Sequence, residues 1–232
     1  MDECRILSPL GMLGYGFPTA SFEAGLARRP HIIGADAGST DGGPHKLGAG
    51  VGIVSRAATE KDLGAMLRGG LAAGAPVVVG SAGGSGAEVH LQWTREILEE
   101  LIREENHRVR VAYVHAEIDK EFLKGELAAG HITPMRNVPP LTDKAIDSAT
   151  RIVAQMGAEP IIRALEAGAQ VVIAGRAYDP ACFAAYALWK GFPAGPAWHL
   201  GKILECGALC AEPGSPGDAM WGVLRGDGFV VE

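Results

Sequence analysis

Four continuous apolar runs constrain the fold of this 232-residue chain more than any other feature. The runs are HIIGA (31–35), PVVVG (76–80), RVAYVH (110–115) and QVVIAG (170–175). A strand that faces water on one side alternates apolar and polar residues, whereas a parallel strand buried on both faces is apolar throughout. Each run therefore predicts a buried parallel strand.

Segments with helical spacing lie between and after these runs. Their ranges are 60–74, 88–107, 120–130, 141–157, 160–168, 179–191 and 199–212. Strands that alternate with helices form right-handed crossovers and a mostly parallel sheet. The sequence thus predicts an α/β fold, a mostly parallel sheet flanked by helices in a Rossmann-like three-layer architecture, as a single domain over residues 1–232.

Composition narrows the environment and the partners of the chain. The formal net charge is −6 and no basic stripe is present, so nucleic acid is not an expected partner. No window of about 18 residues is apolar throughout, which predicts no membrane span. The N-terminus does not resemble a signal peptide, and the four cysteines form no CxxC pair, so reduced thiols in the cytoplasm are expected.

Two segments near the chain ends are harder to interpret. The tract 5–18 is rich in glycine, which predicts a ligand loop or a lid rather than a simple strand. The final stretch, WGVLRGDGFVVE, is typical of an edge strand without a polar tail, so we expect the chain to be the N-terminal portion of a longer protein. Cys206 and Cys210 share an i, i+4 spacing that suits a two-ligand metal clip, although ordinary helix packing is the favoured interpretation.

The loop after the first apolar run carries unusually dense polar chemistry. It reads DAGSTDGGP over residues 36–44, where a plain turn needs a single glycine. Ligands of parallel sheets bind beyond the carboxyl ends of the strands, which is where this loop is expected. We predict that Asp36 and Asp41 move protons and that Ser39 and Thr40 hold substrate oxygens.

The loop after the second run, GSAGGSGAE, leads directly into the longest predicted helix. Glycines allow close approach of a ligand, and a helix N-terminus favours an anion. Ser81, Gly83, Gly84 and Ser85 are therefore candidate ligands of a phosphate or carboxylate. The alternative is a structural connector in which Ser85 caps the helix. The loop matches neither the P-loop nor the dinucleotide-binding pattern.

The third loop, HAEIDK, places His115, Glu117 and Asp119 on one side of an extended strand. A histidine between carboxylates suits general acid–base catalysis, and we predict catalytic roles for His115 and Glu117. Two alternatives stay open: the carboxylates bind a divalent ion, or the segment is only a strand end in which Asp119 caps the next helix.

The fourth loop and the last helix add charged candidates for substrate binding. Arg176 follows a buried strand in GRAYDPACF, where its guanidinium can bind a carboxylate or a phosphate. Asp179 precedes Pro180, which also suits a helix cap. Lys202 lies in HLGKILECG, where a solvated ion pair is the simpler interpretation of a helical lysine near a carboxylate.

Six segments in order resemble the acyclic terpene utilisation family of AtuA-like proteins over nearly the whole chain. They are SPLGMLGYGFP, ADAGSTDGGP, GSAGGSGAE, HAEIDK, IAGRAYDPACFA and HLGKILECGA. The resemblance implies a bacterial catabolic protein, tied in its founding members to the breakdown of acyclic terpenes. It also implies a longer chain with a small companion domain or subunit. It supplies no catalytic residues.

Together these features favour a catabolic enzyme that acts on an organic acid or an acyl thioester. Acid–base chemistry of the lyase, hydratase or isomerase type is expected, with a small carboxylate or acyl-CoA as the partner and a CoA thioester as a possible substrate. No metal site is assigned, and a homo-oligomer is expected. The alternatives are a non-catalytic subunit of an enzyme complex and actin-like phosphoryl transfer, which the strand followed by D-x-G-S-T suggests.

Overall fold

The computed structural model describes residues 1–38 and 42–232, and within them seven strands form one sheet. The strands are β1 (Cys4–Ser8), β2 (Ile32–Asp36), β3 (Val77–Gly80), β4 (Val111–Val114), β5 (Val171–Ala174), β6 (Met220–Arg225) and β7 (Gly228–Val231). Their order is β4-β5-β3-β2-β1-β6-β7. Strands β1 to β5 pair in parallel, whereas β6 and β7 pair antiparallel.

The helices of the described residues cover both faces of this sheet. They are α1 (Thr19–Ala27), α2 (Gly43–Ala49), α3 (Arg56–Ala73), α4 (Glu88–Glu104), α5 (Lys120–Ala128), α6 (Asp143–Ser148), α7 (Glu159–Glu166), α8 (Ala181–Trp189) and α9 (Ala194–Leu204). Two short 3-10 turns, Ala82–Gly84 and Gly207–Cys210, lie among them. None of the helices within the described ranges is long and apolar enough to cross a bilayer.

Two hydrophobic cores, one on each face of the sheet, account for the three layers. One core joins the sheet to α1, α3 and α4, and the other joins it to α7, α8 and α9. Successive residues of β2 alternate between them: Ile32 lies in the second core and Ile33 in the first. Gly34 lies against Phe183 of α8. By the same alternation Asp36 faces the layer of α8 and α9, and the predicted three-layer α/β fold is confirmed.

All four predicted strands are present, but the prediction for the N-terminal tract is wrong. Residues 4–8 form β1, which lies between β2 and β6, and Ile6 and Leu7 are fully buried. The loop prediction holds only for the residues after this strand. The C-terminal stretch forms two strands where one edge strand was predicted. Strand β6 pairs with β1 and β7, and β7 lies at this edge of the sheet.

The predicted helix 141–157 is mostly wrong. Thr142 does cap α6 by accepting a hydrogen bond from the N–H of Ala145, yet α6 ends at Ser148. Residues beyond it run extended, because other segments take up their backbone groups. Ile118 N–H donates to the Ile152 carbonyl over 2.9 Å, and Ala154 N–H donates to the Ala116 carbonyl over 2.8 Å. Tertiary pairing therefore overrides local helix propensity here.

Candidate functional site

A cavity of about 400 Å³ opens at the carboxyl ends of β1, β2 and β5. Three chain segments and the end of α9 supply its walls. Its lining residues are Gly11, Met12, Tyr15, Asp36, Gly38, Asp179, Glu205, Cys206, Leu209 and Pro216. This is the position at which parallel α/β sheets bind their ligands.

Asp36, the last residue of β2, lies in the wall of this cavity and is only 2% exposed. Its Oδ1 has no hydrogen-bond partner among the described residues. Burial raises the pKa of the Asp36 carboxyl well above its usual range, and the nearby charge of Asp179 raises it further. A buried carboxyl oxygen without a partner costs stability, so its presence here points to a functional role.

Asp179 and Glu205 complete a cluster with Asp36. Carboxylate oxygens of the three residues lie within 4.8 Å of one another, although the residues come from separate segments of the chain. Arg176 Nη2 donates to Asp179 Oδ1 over 3.1 Å, and Lys202 forms an ion pair with Glu205. Each of these two acids thus has its own cation.

The charge count leaves Asp36 as the unbalanced member. Three carboxylates face two cations, so one proton on Asp36 makes the cluster neutral. The same three oxygens are also close enough to share one divalent cation. The proton is the simpler solution, because a carboxyl buried beside like charges binds a proton more tightly.

The loop after β1 forms the outer wall of the cavity and is fastened from two sides. Asp62 of α3 accepts hydrogen bonds of 2.9 Å from the N–H groups of Gly14 and Gly16. Leu13 N–H donates to the backbone carbonyl of Asp36 over 2.8 Å. The tract that sequence patterns suggested as a ligand loop therefore does line the site, although it begins with a strand.

The glycines after β3 make close packing contacts, and a role of Gly83 and Gly84 in ligand binding stays a prediction. A Cβ on Gly83 would lie 2.9 Å from His90, one on Gly84 would lie 2.5 Å from Ile53, and one on Gly86 would lie 2.0 Å from Arg176 N. No protein side chain could be added there without a collision, so the loop is pressed against its own neighbours. Gly83 and Gly84 thus pack on His90 and Ile53, while Gly86 packs on the backbone of Arg176, whose N–H donates to the Gly86 carbonyl over 3.1 Å.

The two serines of this loop are both buried, with different contacts. Ser81 Oγ donates to the Ala177 carbonyl over 3.2 Å and lies 3.3 Å from Ala177 N, which links the loops after β3 and β5. Ser85 Oγ has no partner among the described residues. The alternative in which Ser85 caps α4 is wrong, since the cap position is Ala87. Binding of an anion at these serines stays a prediction.

His115, Glu117 and Asp119 lie around the start of α4 and α5, and none of them lines the cavity. Glu117 Oε2 accepts a 2.8 Å hydrogen bond from the N–H of Glu88, at the N-terminus of α4 where an external anion was expected. His115 Nδ1 lies 2.7 Å from Glu88 Oε2 on the surface. Asp119 caps α5 through the Phe122 N–H, as one alternative predicted.

The structure thus brings together part of the predicted site. Asp36 and Asp179 line the cavity, and Arg176 and Lys202 hold its acids. Asp179 is not the cap of α8, because Pro180 occupies that position. Ser39, Thr40 and Asp41 lie outside the described residues.

Glu205 is the member of the site that the sequence prediction missed. Its only signal was the i, i+3 spacing from Lys202, which is common on solvated helices. Cys206 also lines the cavity, and burial raises the pKa of its thiol to about 11. Cys206 and Cys210 do not share one helix, because α9 ends at Leu204 and a 3-10 turn follows.

Comparison with known proteins gives one match. The family model described as "Acyclic terpene utilisation family protein AtuA" matches residues 60–215, which is more than half of the chain. The matched range includes Arg176, Asp179 and Glu205, and it begins after Asp36. No curated protein and no solved structure matches the chain.

Proposed function

We propose that this chain, which belongs to the acyclic terpene utilisation family AtuA, is an enzyme that acts on an organic acid or an acyl thioester. The proposed active site is the cavity at the carboxyl ends of β1, β2 and β5. The proposed chemistry is proton transfer next to a carbonyl group, the step that lyases, hydratases and isomerases of such substrates share. Its place in catabolism follows from the family resemblance.

One observation carries this proposal: the buried Asp36 carboxyl has an oxygen without a partner, on the wall of an open cavity. Asp62 offers a contrast within the same chain. It is equally buried, but its carboxylate accepts two backbone hydrogen bonds and so has a structural task. Asp36 has a backbone hydrogen bond from Gly38, but its Oδ1 has no partner among the described residues.

The environments of the three acids differ. Burial and the charge of Asp179 raise the pKa of Asp36 and favour its protonated form. Asp179 and Glu205 each pair with a cation, Arg176 and Lys202, and the charge of Arg176 opposes the rise that burial causes in the pKa of Asp179. Acids that differ in this way within one site are typical of acid–base catalysis.

In the proposed step, the Asp36 O–H bond donates its proton to the carbonyl oxygen of the substrate. Asp179 or Glu205 accepts the proton from the carbon next to that carbonyl as the C–H bond breaks, and the substrate becomes an enol. The reverse transfers return both protons. A neutral carboxylic acid donor stabilises the charge that develops on the oxygen.

The test is hydrogen exchange in D₂O, because it detects this step whatever the final product is. Purified protein is incubated with a panel of acyl thioesters and organic acids, and deuterium at the carbon next to the carbonyl is measured by mass spectrometry. We expect Asp36→Asn to slow exchange by about 10²-fold or more. Asp2→Asn, at the exposed N-terminus, is the matched control and should exchange like wild type.

An Asp36→Asn variant that is folded and exchanges at the wild-type rate contradicts the proposal. The roles predicted for His115 and Glu117 stay predictions, and the proposed step does not use them. The roles predicted for Asp41, Ser39 and Thr40 also stay predictions. The two alternative functions, a non-catalytic subunit and phosphoryl transfer, stay predictions as well.

A further inference from the structure

We infer that the substrate group entering the Asp36 cavity is an uncharged thioester or ester carbonyl and not a free carboxylate. This inference rests on the proposed function, since it names the substrate class of the same site. The family match does not show whether the substrate is a free acid or a thioester. The charges around the cavity favour the thioester.

The lining of the cavity contains three acidic residues and no cationic one. The two cations next to the lining are already engaged: Arg176 Nη2 lies 3.1 Å from Asp179 Oδ1, and Lys202 is paired with Glu205. The side chain of Arg176 is also only 9% exposed. A carboxylate from outside would therefore have to compete with Asp179 and Glu205 for these two cations.

The residues outside the described ranges add no cationic side chain. They are a serine, a threonine and an aspartate at positions 39–41. A carboxylate that enters would therefore add a negative charge beside three acidic residues, and the two cations nearest to those acids are already paired. Specific binding sites for carboxylates supply a positive partner, often an arginine fork.

A neutral carbonyl avoids this repulsion and can accept a hydrogen bond from a protonated acid in the cavity wall. A protonated Asp36 can donate a hydrogen bond to a carbonyl oxygen, whereas the paired acids can only accept. Met12, Leu209 and Pro216 add apolar groups to the wall. Sulfur and an acyl chain are apolar groups that such a wall can contact.

The experiment compares two probes that share one acyl chain. The N-acetylcysteamine thioesters of butanoic and hexanoic acid are titrated into the full chain at pH 7, alongside the sodium salts of the free acids. N-Acetylcysteamine is uncharged, so the comparison isolates the charge at the carbonyl end. Binding is measured by NMR or calorimetry, and we expect each thioester to bind at least tenfold more tightly than its acid.

Two variants then change the charge of the site in opposite directions. Glu205→Gln frees Lys202, so the preference for the thioester should narrow at least threefold. Lys202→Gln removes a cation and should widen the preference. The Lys202 side chain is 57% exposed, so we expect this variant to fold. Glu126→Gln, on exposed α5, is the matched control and should leave the ratio unchanged.

Three results overturn the inference: equal or tighter binding of the free acid, binding of the acid that requires Mg²⁺, and no binding of any thioester at millimolar concentration. The Mg²⁺ result would show that the cluster holds a cation instead of a proton. Because binding is measured without turnover, a thioester preference stands even if Asp36 proves inactive in exchange. In that case only the proposed function fails.

Discussion

At the scale of single residues, Asp36 shows what sequence can predict and what it cannot. Its place after an apolar run predicted a position at the carboxyl end of a buried strand, and the structure confirms that position. Sequence did not show that Asp179 and Glu205 converge on it, because the three residues are far apart along the chain. Their meeting depends on how α8 and α9 pack on the sheet.

The burial of Asp36 makes a prediction about stability and pH. Its pKa is raised in the folded chain, so the folded state binds this proton more tightly than the unfolded state does. The contribution to stability is fully present below the unfolded pKa and is lost as the pH rises through the folded pKa. Asparagine has no such dependence, so the stability of Asp36→Asn relative to wild type should increase with pH.

Urea unfolding of both proteins at a series of pH values checks this expectation. The difference in free energy of unfolding is read against pH, with Asp2→Asn as a control that should follow wild type. If the difference in free energy of unfolding were the same at every pH, the surroundings of Asp36 would not raise its pKa.

At the scale of elements, the glycines of the loop after β3 pack closely on neighbouring segments, whereas ligand binding by this loop stays a prediction. Sequence alone cannot distinguish glycines that admit a ligand from glycines that admit other parts of the protein. The structure favours the second purpose, since a Cβ on Gly86 would lie 2.0 Å from Arg176 N. Gly38 also allows close packing, because a Cβ there would lie 2.9 Å from Arg176 Nη1.

Alanine substitutions separate backbone conformation from packing at this loop. Gly86 and Gly74 have nearly the same φ, +69° and +66°, but a Cβ on Gly74 would meet nothing within 4 Å. Gly74→Ala should therefore cost only the conformational penalty, about 1 kcal/mol. Gly86→Ala adds overpacking against Arg176 and should cost about 3 kcal/mol or more.

Chemical denaturation of the two variants measures this difference. We also expect Gly86→Ala to slow the exchange reaction, because it displaces the backbone that carries Arg176, whereas Gly74→Ala should not. Equal costs for the two substitutions would mean that the loop is free to move away from Arg176, contrary to the close packing described above.

At the scale of the whole molecule, the pattern of apolar runs was sufficient for the fold class but not for the complete sheet. Runs of buried residues predicted β2 to β5, yet β1 was missed because a glycine-rich loop follows its five residues. Helix 141–157 was over-extended because residues after Ser148 pair with other segments, which local propensity cannot show. A single domain and a homo-oligomer stay predictions.

The central claim is that Asp36 is a protonated acid in the folded chain at neutral pH. ¹³C NMR of aspartate side-chain carboxyls, with Asp36→Asn used to assign the resonance, tests this most directly. We predict that the Asp36 signal has the chemical shift of a protonated carboxyl at pH 7 and titrates well above the usual aspartate range. A signal that titrates near ~4, as in an exposed aspartate, would contradict the account.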